Sequence, residues 1–139
     1  MSAPSELLVR ALAPLPDVVP GDDLAALLAA AAPADLAGGD VLVIAHKVVS
    51  KAEGRLRRLA DIDPGERARA LAQEHGKDAR LVQAVLDESA EVLRSHEGTL
   101  ICETHHGFVC ANAGVDQSNT SGAGELVLLP SDPDGSARR

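Results

Sequence analysis

Phe108 is the only Phe, Tyr or Trp side chain in the 139 residues, so any core this chain builds is packed from Leu, Val, Ile and Ala. Aliphatic side chains fill space well but offer no ring face for unstacked bases, which argues against single-strand nucleic-acid binding by stacking. Hydrophobic residues at 45% and charged residues at 24% keep the chain in the range of packed domains rather than disordered segments. A formal net charge of −8 excludes a broad nucleic-acid or anionic-membrane surface, because such binding rests on clustered Lys and Arg; a local phosphate site is still compatible with it. The longest apolar stretch, Leu24 to Ala32, stops at Pro33, short of the ~18–20 residues a membrane helix needs. Met1 to Glu6 lack the basic-then-apolar order of a secretory signal, so a cytoplasmic protein of at most one domain is expected.

Local patterns predict a mixture of helices and strands. Leu7-Leu8-Val9 reads as a short strand, followed by a loop stiffened by Pro14, Pro16 and Pro20. Asp22 and Asp23 open a helix with Leu24, Leu27, Leu28 and Ala31 at helical spacing, and Pro33 closes it. Val41 to Ala45 is a β-branched run that predicts a strand buried on both faces, giving way to a polar, basic segment from His46 to Arg55. Asp63 and Pro64 fit the cap and first position of a helix ending at Gly76. Asp78 caps another, whose apolar stripe runs through Leu81, Val82, Val85, Leu86, Ser89 and Val92-Leu93. Thr99–Thr104 and Phe108–Ala111 read as strands joined at His105-His106-Gly107, Glu125 to Leu129 as one more strand, and Asp132-Pro133 as the start of a helix with only about one turn of sequence behind it. A helix so short does not recover its nucleation cost, which predicts a piece of something longer.

No phosphate loop of the GxxxxGK[ST] type, GxGxxG, HExxH or GxSxG pattern is present. Chemistry is therefore sought in three polar segments at the ends of predicted strands: the proline loop, His46–Arg55, and the loop carrying Asp116 and Asn119. Lys51, with Lys47 and Arg55 nearby, is a candidate phosphate contact or else part of a solvated basic turn. Asp116 offers a hard oxygen suited to Mg²⁺ or Mn²⁺, or else an Asx-turn that shapes its loop. His105 and His106 are candidate metal ligands, but neighbouring strand side chains point to opposite faces, which favours a hairpin turn with one exposed His. Cys102 and Cys110, spaced C-x7-C, match no zinc or redox CxxC pattern and read as reduced core thiols.

Several stretches, in order along nearly the whole chain, closely resemble one family. They are Leu15-Pro16-Asp17-Val18 with Pro20-Gly21-Asp22-Asp23-Leu24, Lys47-Val48-Val49-Ser50-Lys51-Ala52-Glu53-Gly54-Arg55, Gly76-Lys77-Asp78 with Arg80-Leu81-Val82, His106 through Asn119 (HGFVCANAGVDQSN), and Leu128-Leu129-Pro130 with Asp132-Pro133-Asp134. The family is the coenzyme F-420-0:L-glutamate ligases, also called γ-glutamyl ligases. The resemblance implies an α/β fold, mixed α+β, cut after the start of a C-terminal helix, so that residues 1–139 form the N-terminal portion of a single ligase domain that is an intertwined homodimer when full length. It implies a GTP-dependent ligase that joins L-glutamate to coenzyme F-420-0 through an acyl phosphate, with Mg²⁺ or Mn²⁺, and with K⁺ assisting. Carried over by residue, Leu15, Pro16, Asp17 and Val18 line the GTP pocket, His46, Lys51 and Asn119 touch the nucleotide, and Asp116 binds the first metal. No side chain is expected to act as a nucleophile, since phosphoryl transfer of this kind rests on positioning and charge neutralisation. His46 stands where relatives often carry a small polar residue, and His105 where many carry Arg. The resemblance puts further metal ligands beyond the position of Arg139, so a catalytically incomplete nucleotide-binding or dimerisation module is the alternative expectation.

Overall fold

The computed structural model describes residues 7–117 and 124–139. Among these the chain is mixed α+β, with helices α1 (Leu24–Ala31), α2 (His46–Ala52), α3 (Glu66–His75), α4 (Ala79–Asp87) and α5 (Pro133–Ala137). The strands are β1 (Leu56–Arg58), β2 (Ser89–His96), β3 (Thr99–Thr104), β4 (Val109–Ala111) and β5 (Glu125–Val127), and short 3₁₀ turns cover Leu59–Asp61 and Asn112–Gly114. Two antiparallel sheets result, β1-β5 and β2-β3-β4. The core between them and the α3/α4 pair is aliphatic: Leu59, Ile62, Val82, Val85, Leu100, Leu126 and Leu128 are all buried together with small Ala and Cys side chains.

Three of the expected helix starts hold, each through an aspartate cap. Asp23 caps α1 by accepting from the Ala26 N–H, and Asp78 caps α4 by accepting from the Arg80 N–H. Asp132 does the same for α5, with Pro133 in the first position. The β3–β4 hairpin closes around His105-His106-Gly107 as expected.

Four expectations are corrected. Leu7-Leu8-Val9 forms no strand, and its three side chains are exposed. Val41 to Ala45 is likewise no strand, with Val41 at 83% and Val43 at 86% exposure rather than buried on both faces. A β-branched run becomes a strand only when backbone partners and covering layers exist, and the described residues supply neither. Helix α3 starts two residues later than Asp63-Pro64 suggested, because Gly65 takes the capping position and its N–H donates to Gln83 Oε1 of α4 at 2.8 Å. The stripe after Asp78 breaks at Asp87, and Ser89–His96 is a strand. Bulges between Ser89 and Glu91 and between Val92 and Arg94 turn its inward face from every second residue to every third, through Ser89, Val92 and Ser95. A period of three imitates the helical period of 3.6 closely enough to extend the apparent helix.

Candidate functional site

The segment from Lys47 to Arg55 is helix α2 plus its stop. The Gly54 N–H donates to Lys51 O at 3.0 Å and the Arg55 N–H to Ser50 O at 2.8 Å, with Gly54 at φ +69°. This is a Schellman closure, in which a left-handed glycine turns the chain back on the last carbonyls. Glu53, Gly54 and Arg55 thus have structural work. Glu53 accepts from Ser136 Oγ and Arg139 on the α5 segment. Arg55 Nε donates to Leu129 O at 2.8 Å while its other nitrogen pairs with Glu88 at 2.7 Å, so Arg55 is committed to the fold rather than offered beside Lys51.

Arg55 also leads into β1, which pairs with β5, and β5 carries Asp116 on its other edge. Asp116 N–H donates to Val127 O at 3.0 Å and accepts, through its own carbonyl, the Val127 N–H at 2.8 Å. With its backbone pinned in this way, the Asp116 carboxylate meets the Lys47 ammonium at 2.5 Å. Lys51 follows Lys47 by four residues, one turn along the same face of α2. Two of the quoted stretches therefore meet at one place, through the Lys47 ammonium on α2 and the Asp116 carboxylate from the loop after β4.

The turn entering that loop is conformationally unusual. Asn112, Ala113 and Gly114 all have positive φ, at +51°, +51° and +73°. A left-handed alanine is uncommon, costing ~1–2 kcal/mol, and such residues persist where surrounding contacts hold them. Here Ala113 is buried in the core and Lys77 Nζ donates to Asn112 Oδ1 at 3.3 Å. The signal was in the sequence, since Asn and Gly both tolerate the left-handed region, but the central alanine gave none.

The proline loop reaches this region through its backbone. Gly21 N–H donates to Ala52 O at the end of α2 at 2.8 Å, and Pro20 lies against Gly54. Val18 is buried, Leu15 half-buried, and Pro16 and Asp17 are exposed. His46, the first residue of α2, is exposed, Lys51 is half-buried, and Asn119 lies outside the described residues. His105 and His106 do not converge on an ion. Their Nε2 atoms face the carbonyls of Asp87 and Ser131, at 3.0 and 3.1 Å, and among the described residues no three His, Cys, Asp or Glu side chains form a cluster able to hold a metal. The residues at hand fit a divalent cation as one hard oxygen ligand, Asp116, whose charge Lys47 balances.

A cleft of about 330 Å³ at the β2–β3 hairpin tip lies between Glu74, His75, Ser95 and Gly98. His75 Nε2 contacts Ser95 Oγ there, yet its Nδ1 accepts from the Gly98 N–H, so Nε2 carries the proton and cannot take one from the serine. This is no hydrolytic pair. No helix among the described residues is long and apolar enough to cross a membrane.

Comparison with known proteins supplies the family. The chain is 51% identical over 121 residues to the "Coenzyme F420:L-glutamate ligase" of Methanopyrus kandleri, covering 87% of this chain and 47% of that protein. It is 47% identical over 128 residues to the protein of that name from Methanothermobacter thermautotrophicus, and 49% identical over 131 residues to that from Halobacterium salinarum, in each case covering 90% of this chain and 50% of the relative. The chain thus spans about half the length of the curated relatives it matches. The sequence profile described as F420-0:Gamma-glutamyl ligase matches residues 13–139, and with that match over nearly the whole chain, the chain belongs to the F420-0:gamma-glutamyl ligase family.

Proposed function

We propose that this chain supplies part of the nucleotide- and metal-handling site of a cytoplasmic, GTP-dependent ligase that joins L-glutamate to coenzyme F-420-0. The observation that carries this reading is the ion pair of Lys47 with Asp116, with Lys51 one helical turn beyond Lys47 on α2. In the proposed reaction a carboxylate of the coenzyme precursor takes the γ-phosphoryl group of GTP, giving GDP and an acyl phosphate. The glutamate amine then attacks the acyl carbon, phosphate departs, and an amide is formed with loss of the amine proton. A carboxylate is a poor acyl donor to an amine, because oxide is a poor leaving group; in the acyl phosphate, phosphate leaves instead. In this reading Lys51 contacts phosphate oxygens, and Leu15, Pro16, Asp17, Val18, His46 and Asn119 complete the nucleotide contacts. Asp116 would hold Mg²⁺ or Mn²⁺, which when bound neutralises phosphate charge. Lys47 keeps that carboxylate oriented. The assistance by K⁺ and the homodimer belong to the same proposal and rest on the family resemblance.

The test is titration of the chain with GTP in Mg²⁺, followed by calorimetry. A charge-assisted contact to phosphate is worth ~1.5–3 kcal/mol, so Lys51→Ala should weaken binding roughly tenfold or more while the circular dichroism spectrum stays that of the parent. Asp116→Asn should flatten the dependence of GTP binding on Mg²⁺. Equal affinity in the parent and Lys51→Ala, or no GTP binding at all, overturns this reading.

A further inference from the structure

The ligase reading leaves the two cysteines unused, and the structure brings them together. Cys102 on β3 and Cys110 on β4 are direct cross-strand partners in the hairpin register. Paired residues project from the same face of a sheet, so both thiols lie on one side of the ladder. Two residues nearer the turn, Thr104 N–H donates to Phe108 O at 2.8 Å, which sets the alternation and makes Cys102–Cys110 a hydrogen-bonded pair. Such pairs have Cα atoms ~5.5 Å apart, inside the ~4.4–6.8 Å that a disulfide spans. Their Cβ atoms stand toward the wide end of ~4.5–5.5 Å, beyond the ~3.5–4.5 Å of a relaxed bridge, so closure draws the two strands together and gives a strained, readily reduced bond. Both sulfurs are free thiols, Cys102 fully buried and Cys110 partly exposed, so one is reachable from solvent and the other only through its neighbour. Burial and then the charge of Cys102 push the Cys110 thiol above its ordinary value, which favours its protonated form at neutral pH.

We propose that Cys102 and Cys110 are a dithiol exchange site that takes small disulfides of the glutathione class and closes to an intramolecular disulfide across β3–β4. The Cys110 thiolate, its proton given to solvent, attacks one sulfur of the small disulfide. One small thiolate leaves and is protonated, and a mixed disulfide stands on Cys110. Cys102 then loses its proton and attacks Cys110 Sγ, releasing the second small thiol. The cysteine pair is oxidised by two electrons and the small disulfide is reduced to two thiols. Cys110 is the entry point because it is the exposed member, and Cys102 the resolving one.

Incubation of the folded chain with oxidised glutathione in mildly alkaline buffer, acid quenching, alkylation and intact-mass and peptide analysis tests this. The expected product is a monomer lighter by two hydrogens, with a Cys102–Cys110 cross-linked peptide, restored by dithiothreitol. Cys102→Ser should stop at one glutathione on Cys110, and Cys110→Ser should leave Cys102 unmodified while the protein is folded. A stable glutathione adduct on the parent without ring closure, a disulfide between two chains, or closure seen only after unfolding in guanidinium overturns the proposal. Since no nucleotide is involved, failure here leaves the ligase reading untouched, and the reverse also holds.

Discussion

Gly114 should tolerate no side chain, and the structure lets the cost be divided into two parts. Its φ of +73° lies in the left-handed region, and a Cβ built there would stand 2.6 Å from Leu129 Cγ and 2.8 Å from Leu129 Cδ1. Gly114→Ala therefore carries ~1–2 kcal/mol of backbone strain and, if Leu129 is forced aside, a further ~1–3 kcal/mol of overpacking. The sum, roughly 2–5 kcal/mol, is a large share of the ~5–15 kcal/mol that holds an ordinary domain together. Urea unfolding of the parent, Gly114→Ala, Leu129→Ala and the double variant separates the parts. Removing the Leu129 side chain should recover the packing share and leave the strain, so the double variant should be more stable than the sum of the singles predicts by ~1–3 kcal/mol. Additivity within ~0.5 kcal/mol would show that Leu129 is not what the new methyl meets. A loss below ~0.5 kcal/mol for Gly114→Ala alone would mean the turn is not held left-handed at all.

Arg55→Met should cost about 1–3 kcal/mol in urea unfolding, because it strands the Glu88 carboxylate and the Leu129 carbonyl together, and Arg55→Lys should recover only part of it since an ammonium cannot reach both. Asp78→Ala should destabilise by ~0.5–2 kcal/mol through loss of the α4 cap. The Arg80 guanidinium and then the Arg80 N–H hold the Asp78 carboxyl down at about 2, so the cap contribution is full above the ordinary carboxylate value and is lost as pH falls through about 2. The gap between parent and Asp78→Ala, followed by thermal unfolding across acidic pH, should narrow in that window; a gap that stays constant there contradicts the assignment. At the β2–β3 turn, Glu97 has φ +46° and Gly98 φ +77°, so Glu97→Asn should raise stability by up to roughly 1 kcal/mol, and a loss would mean Glu97 makes contacts that outweigh its strained backbone.

What was legible in the sequence is what local chemistry decides alone. Asp23, Asp78 and Asp132 each supply a carboxylate to an N–H two or three residues on, so those helix starts needed no tertiary knowledge. Val41 to Ala45 shows the opposite case, because strand propensity says nothing about whether a partner is at hand. In β2, two bulges shifted the apolar period and made a strand read as the end of a helix. At the candidate site, Lys51 and Asp116 stood out as charged residues in polar segments. Their relation was not legible, because it depends on β1 and on the Asp116 backbone pairing with β5, neither of which leaves a periodic mark in three residues. Lys47, the residue that touches Asp116, was read only as a basic neighbour of Lys51.

The bulges of β2 also bear on how the chain behaves in a crowd. β2 is an outer strand of its sheet among the described residues, and outer strands are where one polypeptide can be templated onto another. A regular row of amide and carbonyl groups repeats every two residues and suits an incoming strand; two interruptions within Ser89–His96 destroy that repeat. The irregularity that hides this strand from a reader of the sequence equally hides it from a neighbouring polypeptide, so the hairpin can keep an open flank without inviting fibrous growth.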